Sequence, residues 1–111
     1  MPIMTDVRSV AANSTVANVL SGKSNEFLSE DSQVQIGVAG SVVGLFYSVI
    51  IGNRNVVEDQ EASSINRMPQ IPQDVVVDEV GLAGERLVVK LRNSTAGAIT
   101  GFTMVRTTPL G

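Results

Sequence analysis

Residues 32–53 run for 22 positions without a charged side chain. No other feature narrows the possible folds so far. The stretch is long enough to cross a bilayer as one helix, and Gly40 and Gly44 stand in the G-x-x-x-G spacing that packs membrane helices. Its residues argue the other way. Gln33 and Gln35 alternate with Val34 and Ile36, a period of two. Val, Ile, Phe and Tyr dominate and favour strands, and Gly37, Gly40 and Gly44 weaken a helix. Ala39-Gly40-Ser41 offers a turn in the middle. The flanks, Glu30-Asp31 and a single Arg54, lack the basic bias that orients a span. The expectation is two strands, over 33–39 and 42–51, with a glycine-rich connection. A membrane span over about 34–52 is the competing reading.

The 42–51 strand is apolar on both faces. Leu45, Tyr47, Val49 and Ile51 share one side, Phe46 and Ile50 the other. A strand of that kind is covered on both sides, so its second face meets either more of the chain or a neighbour. Charged residues make up only 17% of the chain against the usual ~25%, and apolar residues reach 43%. A chain of 111 residues is mostly surface. This deficit of charge points to surface buried against other subunits.

The rest of the chain reads as short strands. Residues 1–5 read as an arm, followed by one domain over 6–108. Two short strands fall within 6–20, with a turn at Asn13-Ser14. Another short strand, over 26–29, carries Phe27 and Leu28. A strand over 54–59 precedes a polar, acidic loop over 58–64. Pro69 and Pro72 keep residues 66–74 out of a regular ladder, which suits an extended crossing. Strands follow over 75–80, 85–92 and 98–107. The 85–92 strand has the cleanest alternation: Leu87, Val89 and Leu91 inward, Arg86, Val88, Lys90 and Arg92 outward. About eight strands, and no long amphipathic helix, predict an all-β, single-domain antiparallel β-sandwich. The long proline-containing crossing suits a jelly-roll connection better than a meander.

Composition excludes several chemistries. With no cysteine there is no disulfide and no thiolate metal site. With no histidine there is no Ser-His dyad and no imidazole ligand. Neither lysine, Lys23 or Lys90, stands in a Ser-x-x-Lys spacing. The carboxylates at Glu30-Asp31 and over 58–61 do not match a Ca²⁺ loop. Phosphate-loop glycine motifs are missing. The reading is therefore non-enzymatic, with no catalytic residue, metal or cofactor. Eight basic residues against eleven acidic ones oppose a nucleic-acid surface, even though Arg86, Lys90 and Arg92 share a face. Asn93-Ser94-Thr95 matches a glycosylation sequon but reads as a hairpin turn. The first six residues lack the basic and apolar regions of a signal peptide.

Candidate contact residues are few. Phe46, Tyr47 and Ile50 belong to the two-faced strand. Arg67, Met68 and Pro69 open a proline-stiffened loop whose Arg and Met are residue types enriched at interfaces.

One stretch carries a likeness. Residues 83–100, from Ala83-Gly84-Glu85-Arg86 through Arg92-Asn93-Ser94-Thr95 to Thr100, resemble the endings of small single jelly-roll virion proteins of tailless bacterial viruses. The likeness extends back to Met68-Pro69 and covers about residues 66–107. It implies a structural subunit of a capsid (vertex, cement or minor coat) located in the virion. Its partners would be copies of itself or other capsid proteins, and it would use no small-molecule substrate. A carbohydrate- or receptor-binding sandwich is the alternative, with Tyr47 and Phe46 as its aromatic candidates.

Overall fold

The computed structural model describes residues 3–22, 26–69 and 74–110. Eight strands follow one another: β1 (Ile3–Val10), β2 (Thr15–Val16), β3 (Ser32–Gly40), β4 (Leu45–Ile51), β5 (Arg54–Glu61), β6 (Val77–Gly81), β7 (Leu87–Asn93) and β8 (Ile99–Pro109). They form two four-stranded antiparallel sheets, ordered β1-β8-β3-β6 and β2-β7-β4-β5. Among the described residues no helix is long and apolar enough to cross a membrane. Residues 34–52 instead form most of two strands, one in each sheet, and the turn between them.

Alternation builds the core. Val34, Ile36 and Val38 of β3 face Leu45, Tyr47, Val49 and Ile51 of β4, with Leu87, Val89 and Leu91 of β7 and Ile99 and Val105 of β8 filling the rest. Each such side chain contributes about 1.5–3 kcal/mol of hydrophobic stabilisation when fully buried.

The chain satisfies most sheet borders itself. Residues 14–19 and 26–28 run along β7. Val19 N–H donates to Val89 O, Leu28 N–H to Glu85 O, and Leu87 N–H to Glu26 O. Where no backbone group fits, buried Asn18 substitutes: its Oδ1 accepts from Leu20 N–H and Val89 N–H, and its Nδ2 donates to Leu87 O. The expected 26–29 strand reduces to a single bridge, Phe27 to Arg86. On the other side, β6 covers only Ser32 to Ile36 of β3. The crossing after β5 takes over there: Gly40 N–H donates to Ser63 O and Asn66 N–H to Gly40 O.

Strand boundaries differ from expectation: β6 starts at Val77 and β7 at Leu87, and three further shifts change the surface. β4 starts at Leu45, because Gly44 adopts φ +105° and closes a turn. That leaves Val42 and Val43 exposed at the tip of the sandwich. β5 continues to Glu61, absorbing part of the expected acidic loop. β1 begins at Ile3, so residues 3–5 of the expected arm are paired with Arg106, Val105 and Met104. Residues 1 and 2 of that arm lie outside the described residues, as do Lys23 and the Gln70-Ile71-Pro72 portion of the crossing.

Candidate assembly surfaces

The outer face of the β2-β7-β4-β5 sheet carries a shallow concavity of about 510 Å³, floored by Phe46, Ser48 and Ile50 and walled by Val57, Asp59, Lys90 and Arg92. Phe46 and Ile50 are half-buried here. Much of that cover comes from the chain itself. The Arg92 guanidinium lies 4.5 Å from the centroid of the Phe46 ring. It reaches across β4 to Asp59 on β5, making two hydrogen bonds of 3.0 and 2.8 Å. A bulge aims Asp59 at this partner: the residue has φ 52°, the β4–β5 register shifts beside it, and its N–H donates to Ser48 Oγ. The Arg92 bonds hold the Asp59 carboxyl below the usual carboxylate range, and Asp59 raises the Arg92 pKa in turn.

Tyr47 is not on this surface. It points into the core with 7% exposure, and burial pushes its phenol pKa up. It is therefore corrected from contact residue to core residue. The alternation with Leu45 and Val49 places it inward, and the sandwich covers its ring.

The proline loop divides similarly. Arg67 is exposed and ion-paired to Asp74 at 2.8 Å. Met68 is half-buried. Pro69 is buried, because it packs on the outer face of β3 at Gly37, where a Cβ would come within 2.6 Å of the proline Cβ. Pro69 thus serves the chain's own packing and leaves the contact set. Of the six candidate residues, Phe46 and Ile50 share a face and Arg67 and Met68 share a loop, and the two groups lie on opposite sheets.

The carboxylates over 58–61 are spread along β5. Asp59 is engaged by Arg92, and Glu61 accepts from Gly44 N–H. At the sequon, Asn93 is buried. Its Nδ2 donates to Val10 O at 2.9 Å and Gly97 O at 2.7 Å, and its Oδ1 accepts from Thr95. The turn reading accounts for it.

One further surface lies across the expected boundary at residue 5. The outer face of the β1-β8-β3-β6 sheet presents Ile3 and Val7, each 58% exposed, beside half-buried Phe102 and Met104. Val7 stands opposite Phe102, which stands opposite Ala39, forming an apolar row across three strands. The signal was present in the uncharged outer positions Ile3, Thr5, Val7 and Ser9, but a division at residue 5 cut it in two. No family model, characterised protein or solved structure matches this chain.

Proposed function

We propose that the chain is a non-enzymatic structural subunit of jelly-roll type that assembles, with copies of itself or other coat proteins, into a viral shell. The observation that carries this is the strand order. β1 neighbours β8, β2 neighbours β7, β3 neighbours β6 and β4 neighbours β5. A single long antiparallel hairpin, turning at Gly52-Asn53 and rolled up so that β8 meets β3 and β7 meets β4, produces this order. Jelly rolls of eight strands are the architecture of many viral coat subunits. Lectins and cupins also use it, so the surfaces have to discriminate.

They favour assembly. Both aromatic candidates for a carbohydrate platform are covered, Tyr47 inside the core and Phe46 under Arg92, and the exposed ring of Phe27 stands apart from them at a tip. Exposed large apolar side chains are instead distributed over β1 (Ile3, Val7) and over both tips of the sandwich (Val42 and Val43, Phe27 and Leu82). Several separated apolar contacts are what a subunit with several neighbours needs. The test is light scattering with electron microscopy of the purified chain over a range of concentration. Discrete oligomers or closed particles are expected; a monomer at every concentration overturns the reading.

A further inference from the structure

Four strands border the sheets, and three are protected. β5 presents Glu58, Asp59, Gln60 and Glu61 and is bulged. β6 is five residues long, carries Asp78 and Glu79, and has its Val80 carbonyl engaged by Arg54. β2 is two residues long. Short, acidic or bulged borders discourage further pairing. β1 has none of these features. It is eight residues long, free of proline and glycine, and among the described residues pairs with β8 on one side only.

From this we infer that β1 is a self-pairing edge: two copies join β1 to β1 antiparallel, about a two-fold axis at Val7, making one continuous eight-stranded sheet. The inference deepens the assembly reading and rests on it. The occupant is identified by charge complementarity. β1 carries two charges, Asp6 and Arg8, both on the inward side in line with Thr103 and Gly101. Pairing Val7 with Val7 of the second copy sets Asp6 opposite Arg8 and Arg8 opposite Asp6. The same register sets Met4 opposite Val10, and Thr5 opposite Ser9. Sliding by two residues one way brings Asp6 against Asp6, and the other way Arg8 against Arg8. A slip of one residue puts outward side chains beside inward ones. One register therefore satisfies both charge and face.

Inward charges ordinarily guard an edge, because a partner strand buries them unpaired. Here they are already neutralised within each chain, with Arg8 Nε and Nη2 donating to Asp6 at 2.6 and 2.9 Å. The second copy adds an alternating partner for each. On the outer face the pairing also joins two apolar rows, running Ala39, Phe102, Val7 and then Val7, Phe102, Ala39 of the second copy. Val7 loses its exposure, and roughly six to eight backbone hydrogen bonds form between the chains.

The chain has no cysteine, so a single introduced thiol reports only on itself. In V7C the two substituted positions face each other with Cα atoms about 4.5–5.5 Å apart, within disulfide reach. In T5C they are offset by four residues, about 13 Å along the strands, beyond reach. Mild oxidation is expected to link V7C into covalent dimers and leave T5C unlinked. V7K, at an exposed position, places two ammonium groups on the axis and is expected to weaken this contact more than about tenfold. Equal linking of V7C and T5C, or linking of neither while the protein still forms oligomers, overturns the inference and leaves the assembly reading intact. A chain that stays monomeric and unlinked overturns both.

Discussion

Replacing Asn93 by alanine removes a side chain whose two donors and its acceptor oxygen are all engaged. The residue is 1% exposed and joins the end of β7 to the end of β1 and to the hairpin that follows. The costs differ by site. The Val10 carbonyl belongs to a residue that is 1% exposed, so losing its Nδ2 donor orphans a buried acceptor, at about 1–3 kcal/mol. Gly97 and Thr95 lie in a more open loop where water replaces the lost bonds, leaving about 0.5–1.5 kcal/mol in total. The sum is about 1.5–4.5 kcal/mol. Unfolding entropy scales at about 2.1 cal/mol/K per residue, so a chain of 111 residues should lose about 6–19 °C in Tm. Urea unfolding of N93A, with its m-value compared to that of the parent, checks this. The neighbouring S94A, which removes an exposed hydrogen bond to Gly44 O, serves as control and should stay within about 0.5 kcal/mol. If N93A also stays within that margin, the buried amide does not hold the sheets together and the argument fails.

Two glycines should respond differently to alanine. In G37A the new methyl meets Pro69 Cβ at 2.6 Å and the Asp74 carbonyl at 3.1 Å, so the crossing must shift, at about 1–3 kcal/mol. In G101A it meets the far end of the flexible Leu91 side chain at 2.8 Å rather than a ring or backbone, and the urea midpoint should move less than in G37A. The pH dependence follows from two lowered carboxyl pKa values: Asp59, through its bonds from Arg92, and Glu26, through Gly22 N–H and then Arg86. A lowered folded pKa contributes stability above the ordinary carboxylate range and loses it as pH falls through the folded value. Thermal melts should therefore be flat near neutrality and drop on acidification, with a shallower drop in D59N; an unchanged acid slope in D59N would refute the assignment.

What the sequence reveals divides by range of interaction. Period-two alternation identifies β7 with its inward residues, and β8 as a strand, because each packs one face on the core. Pro69 and Pro72 make the break in pairing over 66–74 legible, since proline lacks the ladder donor, but the expected strand start at 75 moves to Val77. The start of β4 is not. Val42 and Val43 read as strand, but the turn at Gly44 puts them at an exposed tip. Asn18 and Asn93 look like loop residues by type, yet both are buried. Their partners include residues about seventy or more positions away in sequence, Leu87 and Val89 for Asn18 and Val10 for Asn93. No local pattern encodes such partners. The candidate surface suffers likewise: Arg92 and Phe46 lie 46 positions apart, and their stacking depends on β7 pairing with β4.

The charge-free stretch takes on a different meaning once the sheets are assembled. β3 and β4 are interior strands of their sheets, with β8 and β6 beside one and β7 and β5 beside the other. Their outer faces are partly covered by Pro69 and by Arg92. The missing charge there is explained within one chain and calls for no neighbour. The charges that remain are distributed unevenly. Glu58, Asp59, Glu61, Asp78 and Glu79 gather on the β5 and β6 borders, which Arg54 ties together through Val80 O. Two copies approaching by that side repel each other, while the β1 side is neutral through its own Asp6–Arg8 pair. Self-association is therefore least opposed at β1. A two-fold contact of that kind closes on itself and cannot extend. A shell built on it needs a second, different contact, for which the exposed tips at Val42-Val43 and at Phe27 and Leu82 supply apolar surface.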